Sequence, residues 1–183
     1  MWREWKHSDM GDAVRLRPFR ESDLELLSRF ATDPAFSEPF EWSGFRSPEA
    51  FRRRWEEDGF LDKDPRQLVV ADADDAPIGW VNWREASQWG GLAGWVIGAL
   101  LVPEHRGRGA GTAAQRLLVA HLFETTPAHR VTAFTEADNV AEQRALEKCG
   151  LSREGVLREG GFRGGQWRDV FVYGLLRSDV TDA

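Results

Sequence analysis

At 183 residues, with 42% hydrophobic and 30% charged side chains, the chain is long enough to bury one core without covalent staples. A count of 24 Lys and Arg against 30 Asp and Glu gives a net charge of −6 and a pI near 5.3, which argues against a nucleic-acid partner. The longest apolar stretches, 95–102 and 117–120, are far too short for a membrane span.

Residues 13–19 alternate and read as a first strand, with 1–12 standing before it as an N-terminal extension. Ser22 is placed to cap a helix carrying Leu24, Leu27 and Phe30 on one face, ending near Asp33 and Pro34. Residues 35–45 are loop-like and aromatic. Ser47-Pro48-Glu49 starts a second helix, with Phe51 and Trp55 as its apolar face. Residues 67–71 and 78–83 form a hairpin across the turn-rich 72–77. A mostly apolar strand follows at 93–102, suited to a central position.

A helix over about 111–124 sets Ala114, Leu117, Leu118, His121 and Leu122 at core spacing. Residues 130–135 are the next strand. Asn139-Val-Ala-Glu142 has the form of a capping box, opening a short helix with Ala141, Ala145 and Leu146 inward. Gly150 is a natural stop for it. Residues 155–159 and 169–176 close the chain as a hairpin around glycine-rich 160–166. The succession predicts one α+β domain over 13–177, built on a mixed sheet, with a tail at 178–183.

The most informative stretch begins where the apolar strand ends, at Leu100-Leu101-Val102-Pro103. Arg106-Gly107-Arg108-Gly109-Ala110-Gly111-Thr112 follows, and then a helix opens. Glycines let main-chain N–H groups approach an anion, and the helix N-terminus favours negative charge, so this is a site for a pyrophosphate. A dinucleotide loop would place its third glycine differently and sit in an early βαβ unit. A Walker loop needs Gly-Lys-Ser/Thr, which is missing. The plain alternative is a glycine turn that binds nothing.

The spacing Arg-x-x-Gly-x-Gly directly after a Val-x-Pro strand resembles the acyl-CoA loop of the GNAT N-acetyltransferase superfamily. The order of elements is similar to that fold over nearly the whole chain. The resemblance implies a single, mostly antiparallel mixed sheet flanked by helices, with central strands splayed into an acyl-CoA cleft. Arg15-Leu-Arg-Pro-Phe-Arg-Glu-Ser-Asp-Leu24 resembles the subgroup containing the ribosomal-protein alanine N-acetyltransferases, as do Asn139-x-x-x-x-Arg-x-Leu-Glu-Lys-Cys-Gly-Leu151 and Trp167-Arg-Asp-x-x-x-Tyr173. That subgroup also holds enzymes that acetylate small amines.

Carried over residue by residue, Leu100, Leu101 and Val102 offer main-chain groups to the pantetheine arm. Arg106, Gly107, Arg108, Gly109, Ala110, Gly111 and Thr112 hold the pyrophosphate. Asn139 contacts the pantetheine end, caps its helix, or does both. The implied reaction is acetyl transfer from acetyl-CoA to a primary amine of a small molecule or a protein N-terminus. The amine must lose a proton, the carbonyl oxygen needs a donor, and the departing thiolate benefits from an acid. A main-chain N–H near Leu100 or Leu101 is the expected carbonyl donor.

The chain departs from the family where the acid is concerned. The tyrosine that many members place seven residues after the asparagine is Leu146 here, and the serine that the subgroup places three residues after it is Glu142. Unassisted departure of the thiolate, a proton from Tyr173 or Cys149, and acyl-CoA binding without turnover are the three explanations. For the base, Glu136 and Glu85 are the candidates, each following a strand that faces the cleft; Glu41 is placed instead to bind the substrate's ammonium group. An inactive acyl-CoA sensor of the same fold and a dinucleotide-dependent enzyme are the rival functions.

Nine tryptophans stand against one tyrosine. Trp42, Trp80, Trp83, Trp89 and Trp95 are expected in the core, with an aromatic wall for a cationic substrate as the alternative. Segments 36–45 and 160–167 are expected to shape the amine pocket, the latter as a loop or lid. His7, His105, His121 and His129 show no metal-ligand spacing, so no metal is expected. The first nine residues hold no apolar signal core, and lone Cys149 forms no internal disulfide. The expectation is a cytoplasmic protein, monomer or homodimer, without a membrane or nucleic-acid partner.

Overall fold

Alternating burial along the strands of the computed structural model, which describes residues 14–42, 44–86 and 94–181, places one sheet at the centre of the chain. The predicted extension 1–12 and Trp89 lie outside the described residues. The sheet runs β1 (Arg15–Arg17), β2 (Arg66–Ala71), β3 (Pro77–Glu85), β4 (Gly94–Leu101), β5 (Arg130–Glu136), β7 (Gln166–Leu176), β6 (Ser152–Arg163). Its single parallel pair is β4–β5; the other neighbours are antiparallel. A parallel pair needs a crossover, and α4 (Ala110–Thr125) supplies it.

The remaining helices are α1 (Leu24–Thr32), α2 (Pro34–Ser37), α3 (Pro48–Asp58), α5 (Val140–Lys148) and α6 (Arg177–Thr181). Leu24, Leu27, Phe30 and Ala31 form the inward face of α1, and each large side chain buried there contributes about 1.5–3 kcal/mol. Helix α4 packs on β4, β3 and β1, while α5 packs on β5 and against α4. Ala110, Ala113, Ala114, Leu118, Val119, Leu122 and Phe123 are the buried face of α4. That stripe is rotated from the expected one: Leu117 is half-buried and His121 exposed.

Several local expectations shift. Helix α1 is entered through a tight turn at Glu21–Asp23 rather than from a Ser22 cap. Buried Asp23 explains this, because its carboxylate takes the Arg20 N–H at 2.8 Å and the Arg17 guanidinium at 2.6 Å. The expected loop at 160–166 is mostly strand. Gly164 and Gly165, at φ of +59° and +76°, make a two-residue turn. A turn of that hand matches strand twist, so β6 and β7 run up to it. Within the expected tail, α6 docks on β7 and Val180 is buried.

The tryptophans divide as a core reading requires. Trp80, Trp83 and Trp95 are buried, Trp80 edge-on to Phe30 at 4.4 Å and Trp95 donating to Thr126 Oγ1 at 3.0 Å. Trp42 is half-buried beside Phe45.

Candidate active site

The parallel β4–β5 pairing begins at Gly94 with Arg130 and stops at Ile97 with Ala133. Beyond it β4 stays on β3 as far as Leu101, and β5 stays on β7 as far as Glu136. The two central strands therefore part over 98–101 and 134–136. Val102 N–H donates to Ile78 O at 2.9 Å. In an antiparallel ladder that phase gives Leu100 and Gly98 their main-chain bonds to β3 and turns those of Ala99 and Leu101 toward the gap. Sheet geometry thus supplies free main-chain groups where a thioester would need them.

A cleft of about 530 Å³ opens at this gap. Ala99, Leu100 and Leu101 floor it; Phe30 and residues 37–41 form one wall, and Ala141, Glu142, Arg144, Ala145 and Lys148 of α5 form another. Arg106, Gly107, Gly109, Gly111 and Thr112 close the end. Gly107 and Gly109 sit at φ of +74° and +89°, the region that favours glycine. Gly109 is also the N-cap of α4, and no side chain caps that helix. The first-turn N–H groups at Ala110, Gly111 and Thr112 are left for an anion, and Arg108 stands exposed next to them.

Arg106 plays a part that spacing did not suggest. Its Nε donates to Leu101 O at 2.9 Å, Nη1 to Glu38 O at 2.6 Å and Nη2 to Phe36 O at 2.8 Å. The guanidinium ties the end of β4 to the segment after α2, and loss of hydration pushes its pKa down. Asn139 accepts the Glu142 N–H at 3.2 Å and so caps α5, while also lining the cleft. The expected capping box is half realised: the Glu142 side chain turns to Gln115 Nε2, at 3.2 Å, instead of back to Asn139.

Burial pushes the Glu142 carboxyl up to about 7, with Gln115 lowering it and Glu41 raising it further. Glu41 keeps an open edge, yet lost hydration raises its carboxyl too, Arg106 opposing and Glu136 adding. Leu146, at the position of the family's usual tyrosine, is fully buried in the core. In the sequence Glu142 stands out as a capping-box carboxylate and as a departure from the family's serine; its place three residues after Asn139, on one helix face with it, is the signal for a role in the cleft.

Neither of the two expected catalytic residues, Glu136 and Tyr173, lines the cleft. Glu136, at the end of β5, takes Arg163 Nε on both oxygens at 3.0 and 2.9 Å and Nη2 at 2.8 Å. Arg163 also lies 5.0 Å from the centre of the Phe40 ring, linking the β6 tip to the cleft wall. Tyr173 is buried opposite Ala133 and donates its O–H to Glu147 at 3.3 Å, outside the cleft lining. Desolvation, then the Glu147 charge, pushes its pKa up. Cys149 is buried beneath Thr112, and desolvation holds its thiol up at about 12. Glu85 is exposed on β3, on the side paired with Trp95.

Among the described residues no helix is long and apolar enough to cross a membrane, and no group of three His, Cys, Asp or Glu is arranged to hold a metal ion. Residues 13–152 match the model of the acetyltransferase (GNAT) domain. The probable N-acetyltransferase YjcK of Bacillus subtilis (strain 168) is 30% identical over 176 residues, covering 92% of this chain and 97% of that protein. A GNAT-family acetyltransferase from Bacillus anthracis superposes with a TM-score of 0.75 at 20% identity, covering 92% of this chain and 97% of that one. A spermidine N-acetyltransferase from Vibrio cholerae, solved with CoA and spermine, gives 0.76 at 22%, covering 92% and 98%. At these identities the structures speak for the fold, and the matched domain speaks for descent: the chain belongs to the GNAT acetyltransferase family and is an N-acetyltransferase.

Proposed function

We propose that acetyl-CoA enters the gap between β4 and β5 and that a small cationic amine, or a peptide N-terminus, meets it from the side of residues 36–42. The observation that carries this reading is the parting of the central strands at a cleft that the glycine turn at the start of α4 also lines. Of the expected stretch 100–102, only Leu101 turns main-chain groups into the gap where the pantetheine arm would run, since Leu100 bonds to β3 and the Val102 N–H to Ile78 O. The N–H groups of Gly107, Gly109, Ala110, Gly111 and Thr112, with the Arg108 side chain, take the pyrophosphate. Arg106 serves the same loop by holding it to β4.

The Leu101 N–H, turned into the gap, is the donor proposed for the thioester oxygen. Its carbonyl, engaged by Arg106, holds the following Leu101–Val102 peptide and so the end of the strand. Glu136 is the proposed proton acceptor for the amine, acting through water while Arg163 orients its carboxylate. The acidic Glu41 and the aromatic Phe40 and Trp42 suit an ammonium group at the mouth. Spermidine and spermine belong to the Vibrio enzyme's description; here they support a search among polyamines. Within the family, the opening and closing motifs support a place beside the ribosomal-protein alanine N-acetyltransferases and their small-amine-modifying relatives. The N-acetyltransferase relatives disfavour an inactive sensor, and a dinucleotide-dependent enzyme is set aside with the family assignment. A cytoplasmic location is proposed with the lone thiol of Cys149 in view.

The test is release of free CoA from acetyl-CoA across monoamines, polyamines, aminoglycosides and N-terminal peptides, with Gly109→Trp alongside. Amine-dependent release by the wild type, lost in the variant while its melting transition persists, is the expected result. Release that survives Gly109→Trp would move the donor site elsewhere.

A further inference from the structure

Glu142 is a carboxyl on the cleft face of α5, one helical turn after Asn139, at a place where the reaction needs a proton and the usual hydroxyls are missing. Its partner explains more. Gln115, on α4, is fully buried; its Nε2 donates to Glu142 Oε2 at 3.2 Å, yet its Oε1 has no hydrogen-bond partner. A buried acceptor left in this way is destabilising. An ionised carboxylate can only accept and offers that oxygen nothing, whereas a neutral carboxyl carries an O–H. A carboxyl–carboxamide pair then exchanges one bond in each direction. A neutral Glu142 is the form that would offer the orphaned atom a donor.

We propose that Glu142, held neutral against Gln115, is the proton donor to the departing CoA thiolate. The assignment rests on acetyl transfer in this cleft. The amine nitrogen attacks the thioester carbon, forming the C–N bond and a tetrahedral centre. As the C–S bond breaks, its electron pair leaves with sulfur and the Glu142 proton passes to it, giving the CoA thiol. The proton that Glu136 takes from the attacking nitrogen before the tetrahedral centre collapses is relayed through water to the new Glu142 carboxylate. The amine's proton thus ends on the thiol, and the site returns to its starting state.

The surroundings agree with a neutral group. Glu41 faces Glu142 across the cleft and disfavours a second negative charge, and loss of hydration acts in the same direction. Of the nearby cations, Arg106 is bound to three carbonyls, while Arg144 and Lys148 line the cleft from the same helix as Glu142. Cys149, at the end of that helix, keeps its thiol protonated and adds no charge. A carboxyl brought up to about 7 is about half protonated at neutral pH and loses that form above it. Activity that depends on the proton is therefore present below about 7 and lost as pH rises through it.

The experiment is the pH profile of kcat for amine-dependent CoA release in wild type, Glu142→Gln and Glu142→Asp, with acetyl-CoA affinity measured by calorimetry. Gln has the shape of Glu and keeps a two-way pair with Gln115, so folding and acetyl-CoA binding should persist. Expected is a fall in kcat of about 100-fold, loss of the alkaline descending limb, and partial recovery of both in Glu142→Asp. Unchanged kcat in Glu142→Gln, or a retained alkaline limb, overturns the assignment. Should Glu142→Gln not fold, Glu142→Asp decides: a displaced alkaline limb supports the proposal, and a limb identical to wild type overturns it. A wild type that binds acetyl-CoA but releases no CoA with any amine refutes the functional reading, and the donor role falls with it.

Discussion

Replacing Arg106 with Met keeps the aliphatic stem and removes the guanidinium that joins the end of β4 to the segment after α2. Three carbonyls lose a donor: Leu101 O, Glu38 O and Phe36 O. The bond to Glu38 is exposed, and water replaces it at little cost. The two part-buried bonds are worth about 1.5 kcal/mol each with a charged donor, or about 3 kcal/mol together. Burying a methionine instead of a guanidinium returns about 1 kcal/mol of desolvation. The net loss is about 2 kcal/mol, which in a chain of this size lowers Tm by about 4–8 °C. Acetyl-CoA affinity should fall modestly, because the loop loses its anchor, and the salt dependence of binding should be unchanged. Arg108→Ala is the contrast, with Tm unchanged and both affinity and salt dependence reduced, because an exposed phosphate ligand is lost. Thermal unfolding and calorimetry at two salt concentrations decide between them. An Arg106→Met protein with wild-type Tm and collapsed, less salt-sensitive acetyl-CoA binding would refute the strut and make Arg106 a phosphate ligand.

Three further substitutions probe the same site. Asn139→Ala removes the α5 cap and should cost about 1 kcal/mol in a denaturant titration, with KM for acetyl-CoA rising because the same side chain lines the cleft. A raised KM without lost stability would make it a ligand alone. Tyr173→Phe should leave kcat close to wild type, since the O–H faces Glu147 outside the cleft lining; a large loss would assign it the proton transfer. Glu136→Gln should slow kcat by about 100-fold at neutral pH with acetyl-CoA affinity unchanged, and unchanged turnover would remove it as base.

The loop after β4 was legible because glycines at 107 and 109 have one reason to sit between a strand and a helix: positive φ with main-chain groups facing an anion. The strands themselves followed from alternation, while their order, with β7 between β5 and β6, is set by tertiary pairing. What local pattern could not show was where long side chains end. Arg106 lies in the motif like its neighbour Arg108, but its donors reach carbonyls about seventy residues back in the chain, a contact that only the tertiary fold creates. Glycines at 160 and 161 read as a loop because glycine is depleted in strands. They are carried within β6 at a break in its register, and the turn is made by Gly164 and Gly165. The expected inward face of α5 held at Leu146 and failed at Ala141 and Ala145 for the same kind of reason. Ala141 and Ala145 are apolar and line the cleft, so apolarity marked the helix face without saying which surface covers it.

Two departures from the family pattern, Leu at 146 and Glu at 142, are one arrangement in space. An α-helix turns about 100° per residue, so side chains four apart lie about 40° from one another on neighbouring turns. Helix α5 is rolled so that this small angle is the boundary between core and cleft: Leu146 is fully buried and Glu142 lines the opening. A phenol at 146 would have to displace core atoms or turn the helix, while a carboxyl at 142 reaches the cleft without moving anything. A carboxyl there is useful as an acid only if it stays neutral, and that requirement falls on the neighbouring helix. Gln115, contributed by α4 from the turn after Thr112, meets it with a buried amide. The helix whose N-terminus is proposed to receive the pyrophosphate is thus also the helix that sets the protonation of the group proposed to release the thiolate.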